Sequence, residues 1–338
     1  MNKLAIRAPN WVGDLVMATP VMEAALACEA WDEVHILVRN HLVDVLGDGP
    51  LSAHVVPIKG SSSEVDLYRE IAPDAVMLLS NSLGAAWRAF RGKVPIRAGT
   101  ALGGRRPLLT HAVIPPRSAG RRVPVPTAHL LRDVAGLVGI LPDDLHPRLY
   151  VSPEREVAGA LLLRELGLSA MEPGFVLCCP GAAFGAAKLW PAEHFAEVLD
   201  ALHEKHGWPA LVTGAPAESA LIDEVVARSK SGAIALPEDA RSLGGLRSLV
   251  KATKLLVVGD SGPRWYAAAF DVPCVSVMGP NFPELTATSL ELCEVVRVEG
   301  LECSPCLEKR CPLEHHRCMT ELKPSSVLAA AERVLELA

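Results

Sequence analysis

Leu255-Leu256-Val257-Val258-Gly259-Asp260-Ser261-Gly262 is an uninterrupted apolar run that stops at an acid set between two glycines. Such a run fits a strand buried on both faces, as in a parallel sheet. The turn after it fits the opening of a helix, where free N–H groups and the helix dipole favour an anion. The first half of the chain has a counterpart: Leu4-Ala5-Ile6 leads into Asn10-Trp11-Val12-Gly13-Asp14. Two strand-to-helix turns, one in each half, predict two α/β domains serving one anionic ligand. Each turn also carries an acid that a simple phosphate cradle does not need, and Asp14 is the lead for chemistry.

Outward from these turns, short apolar runs alternate with amphipathic segments. The strand candidates are residues 3–8, 33–39, 54–58, 74–80 and 95–98 in the first half. In the second half they are residues 174–179, 209–213, 233–236, 254–258, 273–278 and 294–298. This alternation predicts parallel strands with helices on both faces. Residues 191–206 show the helical pattern well. Pro191 fits the first helical position, Phe195, Val198, Leu199 and Leu202 share a face, and Gly207 fits the position after the last turn. Residues 147–173 interrupt the strand series and hold one helix, near 154–166. The expected organisation is an N-terminal Rossmann-like domain over 1–150, a linker over 151–173, a C-terminal Rossmann-like domain over 174–324 and a C-terminal helix over 325–338.

The chain has 338 residues, of which half are apolar and 4% aromatic, so its cores must be built largely from Ala, Val and Leu. A net charge of −6 argues against nucleic acid as a partner. No apolar run approaches the roughly 18–20 residues of a membrane span. The N-terminus starts as a strand without a signal-peptide h-region. A cytoplasmic protein with no transmembrane segment is expected. Nine cysteines in a chain of this length do not read as a secreted disulfide scaffold.

Asp14 reads either as a helix N-cap or as a general base whose basicity the helix N-terminus lowers. The loop Cys179-Pro180-Gly181-Ala182-Ala183-Phe184-Gly185-Ala186-Ala187-Lys188-Leu189-Trp190-Pro191 is rich in small residues. It can wrap a diphosphate with Lys188 as a point charge, or be an ordinary loop with a solvated lysine. Thr213-Gly214-Ala215-Pro216 followed by Glu218 places an acid where a ribose hydroxyl could be bound, although an exposed Glu on the next helix reads equally well. No Walker A or G-x-G-x-x-G pattern is present. Cys303, Cys306, Cys311 and Cys318 lie within 16 residues, with His315 and His316 among them. They read as a structural zinc site on a surface excursion away from the catalytic cleft, as an iron–sulfur site, or as a reduced, thiol-rich loop that could hold a disulfide. Cys28, Cys178, Cys179, Cys274 and Cys293 read mostly as core.

Taken together, these segments resemble the ADP-heptose:lipopolysaccharide heptosyltransferases, most of all heptosyltransferase II. Trp11-Val12-Gly13-Asp14 matches the opening motif of that family, and the loop from Cys179 to Pro191 its donor loop. Asp260-Ser261-Gly262, Ala267-Ala268-Ala269, Gly279-Pro280 and Thr286 follow its C-terminal signature. Leu79-Ser80-Asn81-Ser82 and Pro95-Ile96-Arg97-Ala98-Gly99 resemble its acceptor-side segments. The resemblance implies a GT-B fold, two Rossmann-like domains facing a central cleft. It implies inverting, metal-independent transfer of heptose from ADP-heptose to a lipid A-core acceptor at the inner membrane face. By position, Asp14 is then the base, and Lys188, Glu218, Asp260, Ser261 and Gly262 bind the donor. Asn81, Ser82 and Arg97 fall on the acceptor side. Where the family carries a histidine this chain has Trp265, with Arg264 beside it. Trp265 is expected to face the donor and to shift donor choice. The other readings are a glycosyltransferase using a different nucleotide sugar, a non-catalytic sugar-nucleotide-binding homologue, and a metal- or redox-sensing protein run by the cysteine cluster.

Overall fold

The computed structural model describes residues 1–338, apart from the side chains of Ser61 and Ser62. It contains two six-stranded sheets and one short ribbon. The first sheet holds β1 (Lys3–Arg7), β2 (Glu33–Arg39), β3 (Val55–Ile58), β4 (Ala75–Leu78), β5 (Ile96–Thr100) and β6 (His111–Val113). Its spatial order is β3-β2-β1-β4-β5-β6, and every pair is parallel. The ribbon pairs β7 (Arg117–Ser118) with β8 (Arg121–Arg122). The second sheet holds β9 (Val176–Cys179), β10 (Ala210–Val212), β11 (Ile234–Ala235), β12 (Leu255–Gly259), β13 (Cys274–Val277) and β14 (Cys293–Val296). Its order is β11-β10-β9-β12-β13-β14, again wholly parallel.

Numbered from its own first strand, each sheet runs 3-2-1-4-5-6, the doubly wound Rossmann order. The winding reverses between β1 and β4 in one sheet and between β9 and β12 in the other. Ligands of such sheets bind outside the carboxyl ends at that switch. Asp14 follows β1, Asn81 follows β4, Lys188 follows β9 and Asp260 follows β12, so the sequence motifs fall on these four positions.

Leu4, Ala5, Ile6, Leu255, Leu256, Val257 and Val258 are all fully buried, which is why these strands lack polar alternation. In the second sheet, Trp190, Phe195, Val198, Leu199 and Leu202 pack with Val327, Ala330, Ala331 and Val334. Trp190 also donates from Nε1 to the Leu322 carbonyl at 3.1 Å. Each large side chain fully buried in this way contributes about 1.5–3 kcal/mol.

The chain divides into two compact units, Met1–Tyr150 with Glu284–Thr288, and Val151–Pro283 with Ser289–Ala338. Residues 151–173 are no free linker. Their helix Pro153–Glu165 lies on the helix Leu243–Ala252, with Lys251 against Glu156 at 2.5 Å. A Cβ at Gly159 would meet Ser248 Oγ at 2.6 Å, so glycine sets that close approach. The last helix, Pro324–Glu336, is equally no appendage, since its apolar face completes the core of the second unit. β6 is absent from the strand candidates because Thr110 and His111 interrupt the apolar run around it. Pro191 is the residue before the helix Ala192–His206 rather than its first, and Gly207 closes that helix at φ 72°.

Candidate functional site

In the N-terminal unit, Asp14 stands in the first turn of the helix Val12–Met17, while Trp11 occupies the N-cap position without a capping side chain. Asp14 is therefore not an N-cap. The loop that leads to it is tied to buried charge. Arg7 at the end of β1 is fully buried and donates from Nε to Glu64 Oε1 at 3.0 Å. Arg7 also donates from Nη2 to Asn10 Oδ1 at 2.8 Å and from Nη1 to the Ala8 carbonyl. Glu64, equally buried, accepts from Arg88 Nε through its other oxygen at 2.8 Å. Asn10 Nδ2 then reaches across the switch point to Ser80 Oγ at 2.8 Å.

The β4 side of the switch is held by a second buried cation. Arg105 donates to the carbonyls of Thr100 and Ser80 and, at 3.0 Å, to Asn81 Oδ1. Burial pulls its guanidinium down to about 10. Gly99 makes room for it, since a Cβ there would lie 3.3 Å from Arg105 Nη2. Asn81 is exposed beside this clamp, and Ser82 accepts from Ala85 N at 3.3 Å to cap the helix Leu83–Arg91. Asn81 and Ser82 thus lie at the carboxyl edge with Asp14. Arg97 does not. It is the second residue of β5, near the amino end of that strand, and donates to the carbonyls of Leu108 at 2.7 Å and Val94 at 2.5 Å while covering the Phe90 ring. Those contacts give it a structural task and withdraw it from the acceptor-side set.

In the C-terminal unit, two turns 72 residues apart in sequence meet at the switch point. Lys188 Nζ lies 2.6 Å from Asp260 Oδ2, with side chains 11% and 10% exposed. The contact is ionic and lacks the direction of a good hydrogen bond, which Oδ2 does not make. Lys188 also sits over the Phe184 ring at 4.9 Å. It is not an ordinary solvated lysine. Ser261 and Gly262 follow Asp260 at the start of the helix Pro263–Ala269. Glu218 lies on the β10 side, its Oε2 accepting from Ala215 N at 2.8 Å. Its carboxylate packs against Gly181 and Gly214, where a Cβ would come within 2.0 Å and 2.6 Å of it. Both glycines are there for the acid.

Trp265 departs from expectation. It is 4% exposed, and Arg264 lies over its ring at 4.7 Å, so the indole face is already covered. The cysteine segment departs as well. All nine cysteines are free. Among the described residues no three His, Cys, Asp or Glu side chains form a metal-holding group. Burial and the charges of Cys306, Cys303 and Cys311 push the Cys318 thiol up to about 11, so the four thiols are electrostatic neighbours without being gathered as ligands. Nor is the segment an excursion away from the catalytic residues. Ala187 N donates to the Lys309 carbonyl at 3.0 Å, and His316 Nε2 bonds the Ala187 carbonyl at 2.8 Å. The segment is laid against the loop that carries Lys188.

Sequence reasoning missed Arg7, Glu64, Arg105 and Lys309. Gly99 within β5 was the readable signal for Arg105, since a glycine inside a strand marks a close approach. Among the described residues no helix is long and apolar enough to cross a membrane.

This chain is similar to lipooligosaccharide heptosyltransferase 2 of Campylobacter jejuni serotype O:2, 34% identical over 161 residues, which cover 46% of this chain and 50% of that one. The two C. jejuni relatives are matched over about half of their length. Lipopolysaccharide heptosyltransferase 2 of Salmonella typhimurium is 27% identical over 88% of each chain. Among solved structures, a family 9 glycosyltransferase from Veillonella parvula superposes with a TM-score of 0.80 at 22% identity, covering 100% of this chain and 98% of that one. The E. coli ADP-heptose lps heptosyltransferase II superposes with a TM-score of 0.76 at 23% identity and 99% coverage of both. These neighbours and the two Rossmann-like sheets make the fold GT-B. The family model "Glycosyltransferase family 9 (heptosyltransferase)" matches residues 68–317, and the chain belongs to that family.

Proposed function

We propose that this chain transfers heptose from ADP-heptose to a lipid A-core (lipopolysaccharide) acceptor, with inversion at the anomeric carbon. The observation that carries the reading is the Lys188–Asp260 pair at the β9/β12 switch point, in a chain of this family. A diphosphate arriving there takes the Lys188 ammonium as a counter-charge. Asp260, released from the pair, can accept from a sugar hydroxyl. Ser261 and the Gly262 backbone hold phosphate oxygens, and Glu218 accepts from the ribose.

Asp14 takes the proton of the acceptor hydroxyl as its oxygen attacks the anomeric carbon. The bond from that carbon to the diphosphate breaks, and ADP leaves with the bonding pair. A single displacement of this kind inverts the centre. Charge develops on the leaving diphosphate, where Lys188 neutralises it. Asp14, near a helix N-terminus, is a weak base suited to a late proton transfer. The mechanism requires no metal cofactor. Asn81 and Ser82 contact the acceptor. The exposed arginines of the ribbon, Arg117, Arg121 and Arg122, supply charge that suits an anionic lipid. On this reading the enzyme works in the cytoplasm, peripheral to the inner membrane.

A second reading takes another nucleotide sugar as the donor, although Trp265, buried beneath Arg264, gives no ground for it. Turnover of ADP-heptose and of other nucleotide sugars with a lipid A-core acceptor separates the two. Transfer from ADP-heptose is expected. Transfer only from another donor establishes the second reading, and ADP binding without any transfer establishes a binding homologue.

A further inference from the structure

The segment carrying the four cysteines brings a second cation to the Phe184 ring. Lys188 Nζ lies 4.9 Å from the ring centroid and Lys309 Nζ lies 5.8 Å from it. Lys309 is 121 positions beyond Lys188 in sequence (309 − 188), so this proximity belongs to the fold. It is also enforced. A Cβ at Gly185, whose φ is 155°, would stand 2.5 Å from the Lys309 carbonyl, and that carbonyl accepts from Ala187 N at 3.0 Å. His316 fastens the same strap through the Ala187 carbonyl, and Ser304 Oγ bonds the Gly279 carbonyl at 2.8 Å.

The charge balance shows what Lys309 is for. Lys188 is already matched by Asp260, so the pair presents no net positive charge. The diphosphate of a nucleotide sugar carries two negative charges. One lysine held by an acid is a poor sink for it, and a second ammonium at the same ring gives the loop an uncompensated positive charge. Lys309 is held in place through its backbone carbonyl, and its side chain is exposed. The backbone braces the loop while the ammonium stays available for a ligand.

We infer that Lys309 is a second diphosphate-binding cation of the donor site, delivered to the Lys188 loop by the cysteine-bearing strap. This rests on the proposed nucleotide-sugar reading. The test is calorimetric titration of the full-length protein with ADP, and with adenosine by competition, for wild type, Lys309→Ala, Lys309→Arg and Lys188→Ala. Lys309→Ala keeps the backbone contact, so its unfolding temperature should not move. Its affinity for ADP should fall about tenfold, as expected for loss of one charge-assisted contact. Adenosine binding should be unchanged, and Lys309→Arg should restore most of the ADP affinity. If wild type and Lys309→Ala bind ADP equally while Lys188→Ala is impaired, the inference is overturned and the functional reading stands. Equal losses for ADP and adenosine would also overturn it, because the substitution would then act on the loop's shape. If wild type binds no ADP, the functional reading fails and takes the inference with it.

Discussion

At the carboxyl edge of β1 and β4, charge is sealed. Arg7, Glu64 and Arg105 are fully buried, and each guanidinium and carboxylate is committed to partners in the protein. At the carboxyl edge of β9 and β12 a lysine–aspartate contact joins two loops, with glycines at 181, 185 and 214 and a strap laid across. A sealed network cannot exchange partners without stranding a charge, so it suits a scaffold that fixes Asp14. An ion pair whose side chains keep about a tenth of their surface open to solvent can open when a ligand of higher charge arrives, so it suits a binding site. One strand order thus serves a rigid edge and an exchangeable one.

The hardest blow to this contrast would come from Glu64. Replacing it by Ala leaves Arg7 buried without its carboxylate, and removing one partner of a buried ion pair costs about 3–5 kcal/mol. Thermal unfolding of Glu64→Ala should show that loss. The triple variant Arg7→Met, Glu64→Leu, Arg88→Met should recover much of it, because no charge is then stranded. A loss below about 1 kcal/mol in the single variant would mean that the N-terminal edge is not sealed in the sense argued.

Asp14→Asn asks whether the sealed edge exists to serve one acid. The variant should fold normally and lose about 10²–10⁴ in transfer rate, the usual worth of a positioned general base. Wild-type turnover would leave Asp14 a helix-stabilising residue only. On the exchangeable edge, Lys188→Ala should weaken ADP binding by about tenfold to a hundredfold, roughly 1.4–2.8 kcal/mol. Affinity equal to wild type would remove Lys188 from the site and the contrast with it.

The two edges were also unequally legible in the sequence. Apolar runs before glycine turns revealed the strands and both switch points, because a doubly covered parallel strand has no polar alternation to hide it. Lys188 and Asp260 could be singled out one by one, but nothing local says that residues 72 positions apart touch. Glu64 and Arg105 look like surface charges in the sequence, since their burial depends on partners that only the fold supplies. Trp265 misled for the same reason: position on a helix does not reveal that Arg264 covers its ring. The cysteines drew attention by type, while the chemistry of their segment lies in the backbone of Lys309.

The smallest effect gives the finest test, because it compares equivalent positions. Ser82 follows β4 and Ser261 follows β12, each just before a helix. Ser82 caps its helix by accepting from Ala85 N, whereas Gly262 holds the N-cap position in the other unit and no side chain caps that helix. Loss of a serine cap costs about 1 kcal/mol. Ser82→Ala should therefore lower the unfolding temperature of the N-terminal unit by about 2–4 °C, and leave ADP affinity alone. Ser261→Ala should do the reverse. It should leave unfolding almost unchanged and weaken ADP by about threefold to tenfold, the worth of one neutral hydrogen bond to a ligand. Differential scanning calorimetry and ADP titration on both variants give four readings. If both serines move stability and neither moves affinity, the two edges are built alike, and the distinction between a fixed edge and an exchangeable one fails at its simplest pair of residues.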